Sequence, residues 1–213
     1  MGPNKRHRHI DLLLYALVVH LLATGCMSRQ EKIFEAINIG WPGLLEENLK
    51  KSSPSIINGK LDGRCALHLA CQKGDLELIT ILLQYGALVD VEDRFGRTAL
   101  FHACYVGNED VMKLLIGKGA NIDHLSNDND NPLTIAVYYN HKEAVRILLD
   151  AGVSHDPNTE IGGKNLTLAK NGHRRDKKKL EVLMLNARSS FRIERQVERV
   201  RSMEEIINLL SKP

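Results

Sequence analysis

The sequence predicts an all-α solenoid of stacked helix-turn-helix units joined by short hairpin turns. Three observations carry that prediction. First, a five-residue motif recurs every 33 residues: Ala66-Leu-His-Leu-Ala70, Ala99-Leu-Phe-His-Ala103, Pro132-Leu-Thr-Ile-Ala136 and Asn165-Leu-Thr-Leu-Ala169. Second, features downstream keep the same period. Gly74 and Gly107 hold it, as do Gly86-Ala87, Gly119-Ala120 and Gly152-Val153; the pairs Leu82-Leu83, Leu114-Leu115 and Leu148-Leu149 return within one residue of it. Independent features sharing one period mark a repeat architecture. Third, aromatic residues are only 5% of the chain against 43% hydrophobic, so the core is built mainly from Leu, Ile, Val and Ala, which suits packed helices.

Residues 1–29 read as a signal-like or anchor segment. Lys5, Arg6 and Arg8 precede an apolar run from Leu12 to Thr24, and Ala23 and Gly25 are small. A basic start, a short apolar stretch and small residues form the three-part pattern of a secretory signal. The run is shorter than the roughly 20 residues of a membrane span. Leu22-Ala-Thr-Gly-Cys26 resembles the lipobox of bacterial lipoproteins, which implies lipidation at Cys26. The alternative is an N-terminal helix capping the first repeat, with Asp11, Tyr15 and His20 outward. Export or membrane anchoring through residues 1–26 is favoured over a cytoplasmic placement.

Residues 30–187 hold about five units, the first and last acting as caps. In the first, Glu31 to Ile37 predicts one helix and Leu44 to Leu49 a second, with Gly40 between them. In the internal units a turn at Asp62-Gly63 or Phe95-Gly96 leads into a first helix. A glycine ends that helix by supplying the left-handed conformation. Leu76, Ile79, Leu82 and Leu83 then fall at helical spacing, an apolar stripe for the neighbouring unit. One hairpin cannot bury its own apolar face, so the units must stack. In the last unit the sequence predicts a second helix over Leu180–Leu185, after an exposed turn carrying Arg174, Arg175 and Lys177 to Lys179.

Residues 188–213 form a basic, helical tail. Ser202 and Glu205 have capping-box spacing, which predicts a helix opening there and carrying Ile206, Ile207, Leu209 and Leu210. Such a helix either seals the last repeat or serves as an amphipathic helix for a partner or membrane.

The motif residues resemble the ankyrin-repeat family. Leu67, His68, Gly86-Ala87, Thr98 and Pro132 match its pattern; Cys65 and Asn131 replace its Thr, Phe101 and Thr134 its His, and Asn129 its turn Gly. The resemblance implies that His68 bridges neighbouring turns. It also implies a non-catalytic interaction module, an adaptor or scaffold, that binds another protein in the concave groove formed by turn tips and first helices. By matched position the turn residues are Leu61, Asp62 and Arg64; Arg94, Phe95 and Arg97; and Asn127, Asp128 and Asp130. The first-helix residues are Gln72 and Lys73; Tyr105 and Val106; and Tyr138 and Tyr139. Phe95 on an exposed tip is costly unless a partner covers it, and tyrosines beside arginine make typical hot spots.

Other chemistries find little support. The net charge is +3, but the basic residues gather at the two ends and leave an acidic body that repels phosphate, so no nucleic-acid partner is expected. No GxGxxG, P-loop, HExxH or GxSxG motif occurs, and neither catalysis nor a cofactor is expected. The four cysteines lack zinc spacing, and Cys71 and Cys104, one repeat apart, read as buried apolar thiols. Asp128-Asn-Asp130-Asn131 echoes a calcium loop but lacks its sixth-position Gly and closing Glu; no metal is expected. The protein is expected to be monomeric, with membrane contact only through its N-terminus.

Overall fold

In the computed structural model, which describes residues 27–156, 159–185 and 190–211, helix α1 (Arg29–Ile39) opens on a capping box. The Ser28 hydroxyl accepts from Glu31 N, and the Glu31 carboxylate accepts from Ser28 N. The segment before Met27, with its expected signal and the lipidation site Cys26, lies outside the described residues. Gly40, at φ 73°, ends α1. Pro42 starts α2 (Pro42–Lys50), where its missing N–H costs nothing. A one-turn helix α3 (Pro54–Ile57) follows, which the sequence reading did not foresee.

Three helix pairs repeat the plan: α4 (Ala66–Lys73) with α5 (Leu76–Gln84), α6 (Ala99–Val106) with α7 (Glu109–Gly117), and α8 (Pro132–Tyr138) with α9 (Lys142–Asp150). Left-handed residues end the first helices: Gly74 and Gly107, then Asn140 at φ 60°. Asp75 and Asn108 cap the helices that follow through their side chains. Asn129 adopts φ 56° where two other turns place glycine, a conformation that asparagine tolerates. The departure at Asn129 therefore leaves the turn intact.

The last pair departs from the sequence expectation. No turn interrupts residues 174–179, and Leu180–Leu185 do not form a separate helix. They belong to α10 (Glu160–Leu185), a continuous 26-residue helix. The reason is visible at one position. His173 falls one period after Asn140, where earlier units place a left-handed residue, and nothing there stops the helix. Nor does a helix open at Ser202. Ser202 lies within α11 (Ser190–Leu210); its hydroxyl bonds the Asn140 side chain at 3.1 Å, and Glu205 pairs with Lys142 and Arg146.

The helices form two rows. The first helices α1, α4, α6, α8 and α10 pack in sequence against one another, and α2, α5, α7, α9 and α11 do the same. The described residues form the all-α solenoid of stacked helix pairs that the repeat predicts. Helix α11 thus takes the second-row place beside α9. Ala70, Ala103, Ala136 and Ala169 line up along the first row and are all fully buried. Their small side chains let neighbouring helices approach closely. Leu78, Ile79 and Leu82 of α5, Val111, Met112 and Leu115 of α7, and Met203, Ile206 and Leu210 of α11 continue one core. Side-chain carboxylates bonded to backbone amides tie successive loops. Asp90 accepts from Asn121 N and Asp123 from Ser154 N. No helix among the described residues is long and apolar enough to cross a membrane.

Candidate partner-binding face

The turn tips are built by short polar side chains folding back on their own backbone. At the first tip Leu61 and Arg64 exchange backbone hydrogen bonds of 2.8 and 3.1 Å around Asp62 and Gly63. At the second, the buried Asp93 carboxylate accepts from Phe95 N (2.7 Å) and Arg97 N (3.0 Å), and His102 Nε2 donates to it at 3.2 Å. Burial pushes the Asp93 carboxyl up, yet the two amides and His102 outweigh it and leave it below the usual range. At the third tip the Ser126 hydroxyl accepts from Asp128 N and Asp130 N. The tips are also joined to each other: Arg94 N donates to Gly63 O at 2.9 Å and Asn127 N to Phe95 O at 3.0 Å. Gly63 and Gly96 permit that approach, since a Cβ would meet Arg94 Cβ at 2.8 Å or Asn127 Oδ1 at 2.5 Å.

Phe95 stands on this rigid edge, 44% exposed. The Arg94 and Arg97 guanidinium carbons lie 4.7 and 5.1 Å from its ring centroid, a cation–π arrangement that fixes the ring. Arg97 also faces the Asp128 carboxylate at 3.7 Å. The first-helix ends carry a second cluster. Tyr139 meets Tyr105 and Tyr138 edge-on, at centroid distances of 4.5 and 5.0 Å, and stacks on His141. Tyr138 is 60% exposed, and Val106 beside them is exposed too. Burial, then Tyr105, raises the Tyr139 phenol. Arg97, Phe101, His102, Tyr105, Ile135 and Tyr139 enclose a recess of about 70 Å³ that bridges the two clusters.

The other expected residues lie differently. Leu61 is half-buried against the core. Arg64 donates to Gln72 at 3.1 Å and Lys73 to the Asn38 carbonyl at 3.0 Å, drawing these toward the first two units. Asp62 is exposed, and Asp130 pairs with Lys164. Phe101, His102 and Ile135 escaped the sequence reading because the apolar periodicity marks them only as core. A second, larger recess of about 340 Å³, lined by Val137, Tyr138, Leu168, Asn171, Gly172, Arg175 and Met203, escaped it as well. One signal for it existed, since Asn171 falls one period after Tyr138.

Beneath the face, His68 is fully buried. Its Nδ1 accepts from Cys65 N at 3.1 Å and its Nε2 donates to Val91 O at 2.7 Å, which bridges adjacent units. Burial, then His102, holds the imidazole down at about 4. Burial pushes the Cys71 and Cys104 thiols up, leaving them poor nucleophiles. Among the described residues no group of three or more His, Cys, Asp or Glu could hold a metal ion.

The family model described as ankyrin repeats (3 copies) matches the chain in three overlapping placements, residues 33–125, 67–161 and 112–188. No curated protein sequence matches the chain.

Proposed function

The chain belongs to the ankyrin-repeat family, whose repeats are in general protein–protein interaction modules rather than catalysts; from that premise we propose that it is an adaptor whose concave face, centred on Phe95, Tyr105, Tyr138 and Tyr139, binds a partner protein. The observation that carries this reading is the exposed aromatic row on a rigid edge. Four large rings are exposed, Phe95 against Arg94 and Arg97 and the three tyrosines against one another, held by ring contacts and turn hydrogen bonds rather than by core burial. Rings fixed before binding lose little entropy when a partner covers them. Asn127 and Asp128, which contact Phe95 O and Arg97, form the polar rim around that centre.

The test is a titration of the partner, captured on the wild-type chain and purified, against Phe95→Ala/Tyr105→Ala. The double variant is expected to lose more than about 2 kcal/mol of binding free energy, roughly thirtyfold, with an unchanged melting temperature because neither ring is core. Equal affinity would remove the aromatic row from the interface.

A second reading concerns placement. The Leu22-to-Cys26 pattern supports export and acylation of Cys26, with the same face presented at a membrane surface. Intact-mass measurement of protein from its native host checks it. Loss of residues 1–25 with lipid mass on Cys26 is the expected result; the full unmodified chain would return the protein to the cytoplasmic alternative.

A further inference from the structure

The recess of about 340 Å³ between α8 and the α10–α11 pair is a product of this chain's departure from its own repeat. In earlier units the first helix ends at Gly74, Gly107 or Asn140, and the chain turns back. Helix α10 instead continues, for about 39 Å in all at 1.5 Å per residue. Asn171 and Gly172 stand level with Tyr138 and Tyr139, one period back, and Arg175 follows on the turn that earlier units lack. Tyr138 forms one wall, α10 the other, and the buried Met203 of α11 the floor. Gly172 sets the depth, because a Cβ there would meet Met203 Cε at 2.8 Å.

The lining is apolar below and polar at one rim. Val137, Leu168 and Met203 supply the apolar part; Arg175 and Asn171 supply five guanidinium donors and an amide. Arg175 is exposed, and no carboxylate among the described residues lies within ion-pair distance of it. The exposed neighbours Lys170, Arg174, Lys177 and Lys178 on the same helix add positive charge, while the adjoining Asp176 is buried and pairs with Arg199. An apolar hollow with an exposed arginine at its rim, not paired to a carboxylate, is suited to an apolar side chain carried next to a carboxylate. The chain's own N-terminal segment, with Lys5, Arg6 and Arg8, carries the wrong charge for it.

We propose that this recess is a second docking site, which takes an acidic peptide segment of the partner by seating one apolar side chain against Leu168 and Met203 and one carboxylate on Arg175. The proposal rests on the reading of the chain as a protein-binding module, and it supplies the chemistry of one end of the partner. A segment entering here would continue past Tyr138 onto the aromatic row.

The experiment is selection of a random displayed-peptide library on the full chain, followed by titration of the enriched peptides as synthetic fluorescent probes. Binders pairing acidic with large apolar residues are expected. Their affinity should fall roughly tenfold or more on Arg175→Gln, recover in part on Arg175→Lys, and survive Phe95→Ala. Melting temperature would stay unchanged for the exposed Arg175. Binders that ignore Arg175→Gln but need Phe95 would overturn the recess and leave the concave-face reading standing. A library yielding no binder would count against both. Self-association that is lost on Arg175→Gln would overturn the proposal too, by making a second copy the occupant.

Discussion

Replacement of the repeat's histidine decides the local chemistry beneath each turn, and the three internal units solve it in three ways. In the first, His68 Nδ1 accepts Cys65 N and Nε2 donates to Val91 O. In the second, Phe101 fills the equivalent place and meets His124 edge-on. A phenyl ring offers no acceptor, and the buried Thr98 hydroxyl is left without a hydrogen-bond partner, a cost of about 1–3 kcal/mol. In the third, Thr134 lies 2.9 Å from Asn131 Oδ1 and 2.7 Å from the Asn165 side chain. The role of His68 was legible in the sequence because its motif was; the Thr98 orphan was not, since it depends on which side chains reach one another. A pH dependence follows for His68. Its folded value is about 4, whereas an unfolded histidine titrates near ~6.5. As pH falls, the unfolded chain takes up the proton first. The stability contributed by neutral His68 is therefore complete above about pH 6.5 and is lost between 6.5 and 4, amounting to roughly 3 kcal/mol at the low end. Urea midpoints measured across that range should fall with pH in the wild type and follow a flatter line in His68→Leu. Parallel lines would mean that His68 takes up its proton as readily in the folded chain as in the unfolded one.

At the scale of the element, punctuation separates what the sequence disclosed from what it hid. Helices α4 to α9 were readable because Gly74, Gly107, Gly86 and Gly119 stop or separate them at fixed places, all with positive φ. Asn129 and Asn140 do a glycine's work and keep their unit readable. At His173 nothing does, so α10 runs on and the reading failed there. With no stop signal, a basic stretch looks like a loop in sequence, although Arg174, Arg175, Lys177 and Lys178 are exposed residues of a long helix that buries Asp176. The tail was legible as a helix sealing the last repeat, but its start at Ser190 and its second-row place were not, because the sequence puts Leu180–Leu185 there. Helix α11 occupies it, with Met203, Ile206 and Leu210 in the core and Gln196 donating to Asp176 O. Ile206→Ala should accordingly cost about 2–4 kcal/mol through the cavity it leaves. Chemical denaturation gives the value directly. A loss under about 0.5 kcal/mol, as for a surface position, would mean that α11 stands free of the stack.

Among the described residues, two rows of helices share one core, and each pair packs mainly against its neighbours. Stability in such a stack is approximately a sum of local terms, so the exposed first-helix ends and tips are free to carry binding residues without a global penalty. The period disclosed which positions face outward, and Phe95, Tyr105, Tyr138 and Tyr139 were found that way. The recesses were not, because each needs residues from two or three helices and, in one case, from a helix whose course the sequence disguised. The most direct test of the account is hydrogen exchange on the chain with and without its bound partner. Protection is expected over residues 94–106 and 127–139, the tips and first helices of adjoining units, with α5 and α7 unchanged on the opposite row. Protection confined to Leu76–Gln84 and Glu109–Gly117 would put the partner on the second-helix row and contradict the account.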